Sequence, residues 1–243
     1  MAGWWNVPAF SEEITRRIGI FEKRLERTLA RSGRSRRDVT LVAVSKTHGA
    51  ETVAAAASAG LVHFGENYAQ EMAAKQRVLS GVPLHFHFIG PLQTNKVKMV
   101  VGGCHLLHTV DRLRLAEAVS SRATALGIVQ DILFEVHLSP EESKSGVAPE
   151  ALRELVERTL ALPGLRPLGL MTMPPWSDDP EESRPCFARL ARLCSDLSSE
   201  LSLPGFRHLS MGMSHDFEVA VEEGATLIRV GTALFGDRPG KVP

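Results

Sequence analysis

The stretch TLVAVSK, residues 40–46, is a short continuous apolar run that ends in a lysine. Runs of this kind, too short for a helix and without alternation, belong to parallel strands buried on both faces. Ahead of it lies the polar run SGRSRRD, residues 32–38, a loop signal. Further upstream, Glu12–Arg31 carries Ile14, Ile18, Phe21, Leu25 and Leu29 at steps of three and four, which predicts an amphipathic helix. Downstream the pattern repeats. Strand-like runs fall at Leu41–Ser45, Leu61–Phe64, His85–Ile89, Leu106–Thr109, Ile132–Leu138, Pro167–Met171, Phe206–Leu209 and Leu227–Val230. Helix-like segments separate most of them: Glu51–Ala59, Tyr68–Leu79, Gln93–Val101, Arg112–Leu126, Pro149–Leu160, Pro180–Leu201 and Phe217–Glu223. Eight strands alternating with helices after one leading helix predict an α/β fold, a single (β/α)8 TIM-type barrel with an extra N-terminal helix. A doubly wound open sheet is the competing arrangement. The expected layout is one domain, with the helix at about 11–32 and the barrel at about 40–237, because no linker-like tract divides the chain.

Composition narrows the function classes. With 243 residues, 44% hydrophobic and 23% charged, the chain can bury one large core. Its 28 basic and 28 acidic side chains cancel, which removes the general attraction to nucleic acid or anionic membrane. Cys104, Cys186 and Cys194 form no C-x-x-C pair, so neither a disulfide framework nor a cysteine zinc site is expected. The start lacks a basic region ahead of an apolar block, and the longest uncharged stretch contains prolines and histidines. A soluble, cytoplasmic monomer is the expectation, with no nucleic-acid or membrane partner.

In a barrel of this type the active face is built from the carboxyl ends of the strands. Lys46, Glu66 and Asn67, Gly90 and Gln93, His108 and Asp111, Ser143 and Lys144, Met171, Ser210 and Gly212, and Arg229 with Gly231 and Thr232 are the residues expected on that rim. Lys46 is the sharpest, since the chain has only seven lysines. An amine held at the end of a buried strand loses hydration, and its neutral form condenses with an aldehyde. The alternative is a lysine that snorkels into solvent. Ser210 and Gly212 are expected to open the helix after the seventh strand, and Gly231 and Thr232 the last one. Free N–H groups, glycines and hydroxyls at two successive turns make a phosphate site, though glycines in tight turns alone would look the same. An aldehyde-reactive lysine facing a phosphate cradle points to pyridoxal 5′-phosphate, PLP.

The segments AVSKTHGAE, HFGENYAQE, HFHFIGPLQTNK, LLHTVDR, EESKSGV, GLMTMP and LSMGMSHDFEVAVEEGATLIRVGTALFG occur in order from about Leu41 to Gly236. They resemble the pyridoxal phosphate homeostasis family, which is related to the alanine racemase barrel. The resemblance implies a Schiff base between Lys46 and PLP, a phosphate grip by Ser210, Gly212, Gly231 and Thr232, Arg229 at the pyridine nitrogen, Asn67 near the ring, and Met171 in a loop segment close to it. His48 stands where many members have lysine, and Phe86 where many have tryptophan.

The related racemases place a tyrosine from a second domain opposite the lysine. This sequence is expected to lack that domain, and Tyr68 is its one tyrosine. The implied role is therefore a non-catalytic PLP-binding protein that supplies cofactor to PLP-dependent apoenzymes. A racemase-type enzyme, with His48, His108 or water in place of the tyrosine, is the alternative. A third reading takes His85 and His87, on one face of a strand, as metal ligands, but the pair lacks a companion and hydrogen-bonded histidines are expected instead. Trp4 and Trp5 read as a packing anchor, the arginines between Arg31 and Arg37 as solvated charge, and Cys186 and Cys194 as small buried apolar groups.

Overall fold

The computed structural model describes residues 8–138 and 145–236. A leading helix α1 (Pro8–Arg31) precedes β1 (Thr40–Val44), α2 (Ala50–Ser58), β2 (His63–Glu66), α3 (Ala69–Val78), β3 (His85–Phe88), α4 (Val97–Val100) and β4 (Leu106–Val110). There follow α5 (Leu113–Ala125), β5 (Gln130–Glu135), α6 (Pro149–Leu160), β6 (Leu165–Met171), α7 (Arg184–Glu200), β7 (His208–Ser210), α8 (Phe217–Glu222), β8 (Leu227–Val230) and α9 (Thr232–Phe235). The eight strands are parallel neighbours in chain order, and the sheet closes into a barrel. Closure rests on β1 and β8, paired from Thr40↔Leu227 to Ala43↔Val230, which rules out the open doubly wound sheet.

Alternation along each strand separates two interiors. On β3, Phe86 and Phe88 are buried beneath the helices, in the large core that also holds Phe64, Phe134, Leu107 and Ile132. The opposite face carries His85 and His87. Inside the barrel only a small apolar plug forms, from Val42, Leu106, Leu133, Met171 and Leu227. One glycine is forced by strand packing. A Cβ on Gly169, in β6, would lie 2.0 Å from the His208 carbonyl oxygen of β7.

The α1 helix packs on α2, α8 and α9 through the stripe Ile14, Ile18, Phe21, Leu25 and Leu29, all buried. Phe21 meets Phe217 at 4.6 Å between ring centroids, and the Arg24 guanidinium lies 5.0 Å above the Phe217 ring. Part of the basic run after α1 turns inward. Arg34 donates to the carbonyls of Val221 and Ala225 at 2.7 and 2.8 Å, and Arg36 pairs with Glu22 at 3.0 Å. Cys104 and Cys194 are buried, and their thiols are pushed up to about 12 by desolvation, as expected of inert apolar fillers. Cys186 is half-buried. Trp4, Trp5, Ser143 and Lys144 lie outside the described residues. Among the described residues, no helix is long and apolar enough to cross a membrane.

Removing a fully buried aromatic from α1 leaves a cavity between the helix and the barrel. Phe21→Ala is expected to lower unfolding stability by about 3–5 kcal/mol, read as a lower urea midpoint at constant slope. A loss below about 1 kcal/mol would mean that α1 is not part of the cooperative unit.

Candidate functional site

Lys46 lies two residues beyond the end of β1, and local geometry fixes its direction. The Ser45 N–H donates to the Gly65 carbonyl at 3.0 Å, extending the β1–β2 pairing up to the lysine. Thr47 then takes a left-handed backbone, φ 68°, a conformation disfavoured for a β-branched residue. The Glu71 carboxylate, accepting from the Thr47 N–H at 3.0 Å, helps to hold that turn. Under it sits a buried ion pair. Lys75 donates to Glu66 Oε1 at 2.5 Å and to the Ser45 carbonyl at 2.7 Å, while the Ser45 hydroxyl donates to the same Glu66 oxygen at 2.6 Å. Burial pushes the Glu66 carboxyl up, and its pairing with Lys75 and Ser45 pulls the other way.

Half-buried Lys46 lines a cavity of about 420 Å³ at the carboxyl mouth of the barrel. Asn67, Arg229, Gly231 and Thr232 line the same cavity, joined by Glu135, Met173, Trp176, Met213, Ser214 and His215. Beside the lysine strand, just past β8, the N–H groups of Gly231 and Ala233 both point at the Ser214 hydroxyl, each at 3.3 Å. This is a small nest of donors around one oxygen. It is a turn, since α9 has four residues and α8 begins only at Phe217.

The structure brings Lys46, Asn67, Arg229, Gly231 and Thr232 together and places four other expected residues elsewhere. Ser210 ends β7 inside the barrel, fully buried, and neither it nor Gly212 opens a helix, because six residues separate Ser210 from α8. Gly212 has φ 86°, and a Cβ there would meet the Ala220 Cβ at 2.5 Å, so it serves a tight turn against α8. Met171 is not in a loop: it is the last residue of β6, and its side chain belongs to the apolar plug. His108 sits within β4, below the rim, and is fully buried. The residues not anticipated from sequence are Ser214, Met213, Glu135, Met173 and Trp176. Ser214 was legible in SMGMS as a second hydroxyl one turn nearer the helix.

Arg229 forms the wall between cavity and interior. It donates to the Ser210 hydroxyl at 2.7 Å and to the Thr172 carbonyl at 3.0 Å, and its backbone N–H donates to the Gly212 carbonyl at 2.9 Å. Full burial pushes its guanidinium down to about 10, against the charges of Asp216 and Glu135, so it remains a cation at neutral pH.

The alanine racemase N-terminal domain model matches residues 21–239. A pyridoxal phosphate homeostasis protein of Aquifex aeolicus is 47% identical over 222 residues, covering 91% of this chain and 97% of that protein. One from Pseudomonas aeruginosa is 42% identical over 95% of this chain and 98% of its own length. The chain belongs to the pyridoxal phosphate homeostasis protein family. The solved structure of PipY from Synechococcus elongatus with PLP bound superposes with a TM-score of 0.82 at 35% identity, covering 92% of this chain and 100% of that one.

This member of the family carries a column of imidazoles down the barrel axis. Ser210 Oγ lies 2.8 Å from His108 Nδ1, His108 Nε2 lies 2.8 Å from His87 Nδ1, and His87 Nε2 lies 2.9 Å from His63 Nδ1. Arg229 has no acceptor to offer, so the Ser210 hydroxyl satisfies its own hydrogen by donating to His108. Every later hydrogen then points the same way, from His108 to His87 to His63. Each ring is neutral in this arrangement. Desolvation holds His87 and His108 well below the ordinary histidine value and His63 at about 4.

Those depressed values fix the sign of a pH effect. The unfolded chain takes up protons near 6.5 that the folded chain refuses, so stability is complete above that value and is lost as pH falls below it. Each refused proton removes about 1.4 kcal/mol per pH unit. Thermal unfolding followed from pH 8 to pH 5 is expected to show a midpoint that declines below about 6.5; a flat midpoint would contradict the neutral column.

Proposed function

We propose that this chain binds pyridoxal 5′-phosphate at the carboxyl mouth and acts as a non-catalytic carrier in PLP homeostasis. The observation that carries this reading is one cavity lined by Lys46, Arg229, Ser214 and Gly231, beside the nest in which the Gly231 and Ala233 N–H groups meet the Ser214 hydroxyl. The residues fit the cofactor by chemistry and by size. An amine suits an aldehyde, a nest of N–H groups with hydroxyls suits a phosphate, and about 420 Å³ lies within the range of small-ligand sites. The naming of the relatives and the PLP-bound PipY structure support it further.

When bound, PLP supplies an amine-reactive aldehyde and a ring that draws electron density from whatever is joined to it. This chain's residues would do the following. Lys46 presents its amine from a strand end held by Ser45, Glu66 and Lys75. Ser214, Gly231 and Thr232 would grip the phosphate, Asn67 would stand near the ring, and Arg229 would offer hydrogen bonds but no transferable proton. Ser210, the Gly212 turn and Met171 act beneath them, Ser210 by holding Arg229 and Met171 by filling the floor. Tyr68, the sequence's one tyrosine, is 52% exposed and outside the cavity wall, which supports carriage over racemisation. We place the protein in the cytoplasm as a monomer that passes cofactor to PLP-dependent apoenzymes, consistent with its balanced charge and free cysteines.

Visible absorption of purified protein mixed with PLP, followed by borohydride reduction and intact-mass measurement, tests the central contact. A new band and a permanent mass increase are expected for wild type and neither for Lys46→Ala; equal behaviour would overturn the site. Ser214→Ala is expected to weaken PLP binding about tenfold, roughly 1.4 kcal/mol, while leaving pyridoxal, which lacks the phosphate, unaffected. Turnover of single-enantiomer amino acids that disappears in Lys46→Ala would replace the carrier reading with the racemase one.

A further inference from the structure

The opposite, amino-terminal mouth of the barrel holds a second cavity, of about 680 Å³, that nothing in the cofactor site uses. His63, His87 and His105 line it, with Asp131 and His208. These three imidazoles come from β2, β3 and the turn before β4, and each offers a ring nitrogen within 4.8 Å of the other two. His63 Nδ1 and His87 Nε2 are already 2.9 Å apart. The ring centroids of His105 lie 5.8 Å from those of His63 and 5.3 Å from those of His87.

We propose that His63, His87 and His105 form a binding site for a divalent transition ion of the zinc class at the amino-terminal mouth. Metal–nitrogen bonds of about 2.0–2.1 Å in tetrahedral geometry put ligand nitrogens about 3.4 Å apart. The His63–His87 pair therefore has to open by about 0.5 Å, and His105 has to close in. His105 is exposed and has room to do so. Three imidazoles without a thiolate favour zinc, cobalt, nickel or copper over magnesium or calcium, which select oxygen ligands. A fourth position faces the cavity.

The surroundings match what a metal-binding imidazole requires. His87 is fixed from behind by His108, and that by Ser210, the outer-shell support that orients such ligands. A neutral imidazole coordinates through the ring nitrogen that carries no hydrogen, and His63 and His87 already turn one ring nitrogen each toward the other. Coordination through His87 Nε2 moves that ring's hydrogen to Nδ1, where it donates to His108; His108 in turn donates to Ser210. No net proton is released. The column reverses its polarity, and the Ser210 hydroxyl hydrogen loses its acceptor, which sets the affinity below that of a dedicated structural zinc site. His85, stacked on His63 at 4.8 Å and tilted against His105 at 4.4 Å between centroids, packs the outer side of the cluster.

The test uses tag-free protein stripped with a chelator and dialysed. Cobalt(II) titration followed by visible absorption, and zinc(II) titration by calorimetry, are expected to saturate at one ion per chain, with zinc displacing cobalt and magnesium doing neither. His105→Ala, at an exposed position that leaves the barrel core intact, is expected to weaken zinc binding by about tenfold or more, and His63→Gln likewise. His137→Ala, at a half-buried histidine that lines neither cavity, should bind zinc as wild type does. Circular dichroism and retained PLP binding establish that the variants are folded. Absence of saturable binding, or His105→Ala binding zinc as tightly as wild type, overturns the site.

Discussion

Arg229 constrains the inside of this barrel. A guanidinium has five donors and no acceptor, and here it is 4% exposed, so each side-chain group it touches inside the fold must accept. Ser210 accepts, and its own hydrogen is thereby sent toward His108. The direction of two further hydrogen bonds, to His87 and to His63, follows. Barrels of this type usually fill their interiors with layers of branched aliphatic side chains. In this one, a polar column occupies part of that volume, and the apolar plug is reduced to a handful of residues on β1, β4, β5, β6 and β8. The column is tolerable because it is satisfied at every nitrogen that the barrel encloses, and it would be strongly destabilising if one member were lost.

A second buried polar cluster does for Lys46 what the column does for Arg229. Lys75 and Glu66 are an ion pair out of water, and such pairs add little net stability over an apolar replacement. Their value here is directional. Lys75 bonds the carbonyl of Ser45 and the carboxylate that receives the Ser45 hydroxyl, so the residue just before Lys46 is pinned by both backbone and side chain. The left-handed Thr47 then bends the chain immediately after it. An amine on a flexible four-carbon stem gains a defined origin from this framing.

The barrel was legible because its strands are apolar runs of nearly constant spacing, and buried parallel strands have little else to show. The ends of β8 match the expectation, while other ends shifted by one to three residues, as at β2, where Leu61 and Val62 precede the strand. The site was partly legible. Residues within two positions of a strand end, Lys46, Asn67, Gly231 and Thr232, reach the cavity. Ser210 and Met171 were assigned to the mouth because strand ends were judged from hydrophobicity, and a polar or apolar identity does not reveal on which layer of the interior a side chain falls. His108 was misplaced for the same reason. The third imidazole of the amino-terminal cluster, His105, was invisible as a partner of His63 and His87, because the three are brought together only by the stagger between strands that closure imposes. Glu135 and Trp176 reach the cavity through the barrel's curvature and through a long loop, neither of which has a local signature.

For the proposed carrier role, the length of the contacts in the donor nest matters as much as their presence. The Gly231 and Ala233 N–H groups reach Ser214 at 3.3 Å, beyond the usual 2.9–3.0 Å of a good N–H···O bond. Donors so weakly engaged lose little when a phosphate oxygen replaces the hydroxyl, and they regain a partner when the phosphate leaves. The empty and loaded forms are then close in internal hydrogen bonding. Affinity is limited to what the phosphate gains over water, plus the lysine's contribution. A protein that sequesters an aldehyde and later surrenders it needs that small difference, whereas a catalyst gains from a cofactor it never releases.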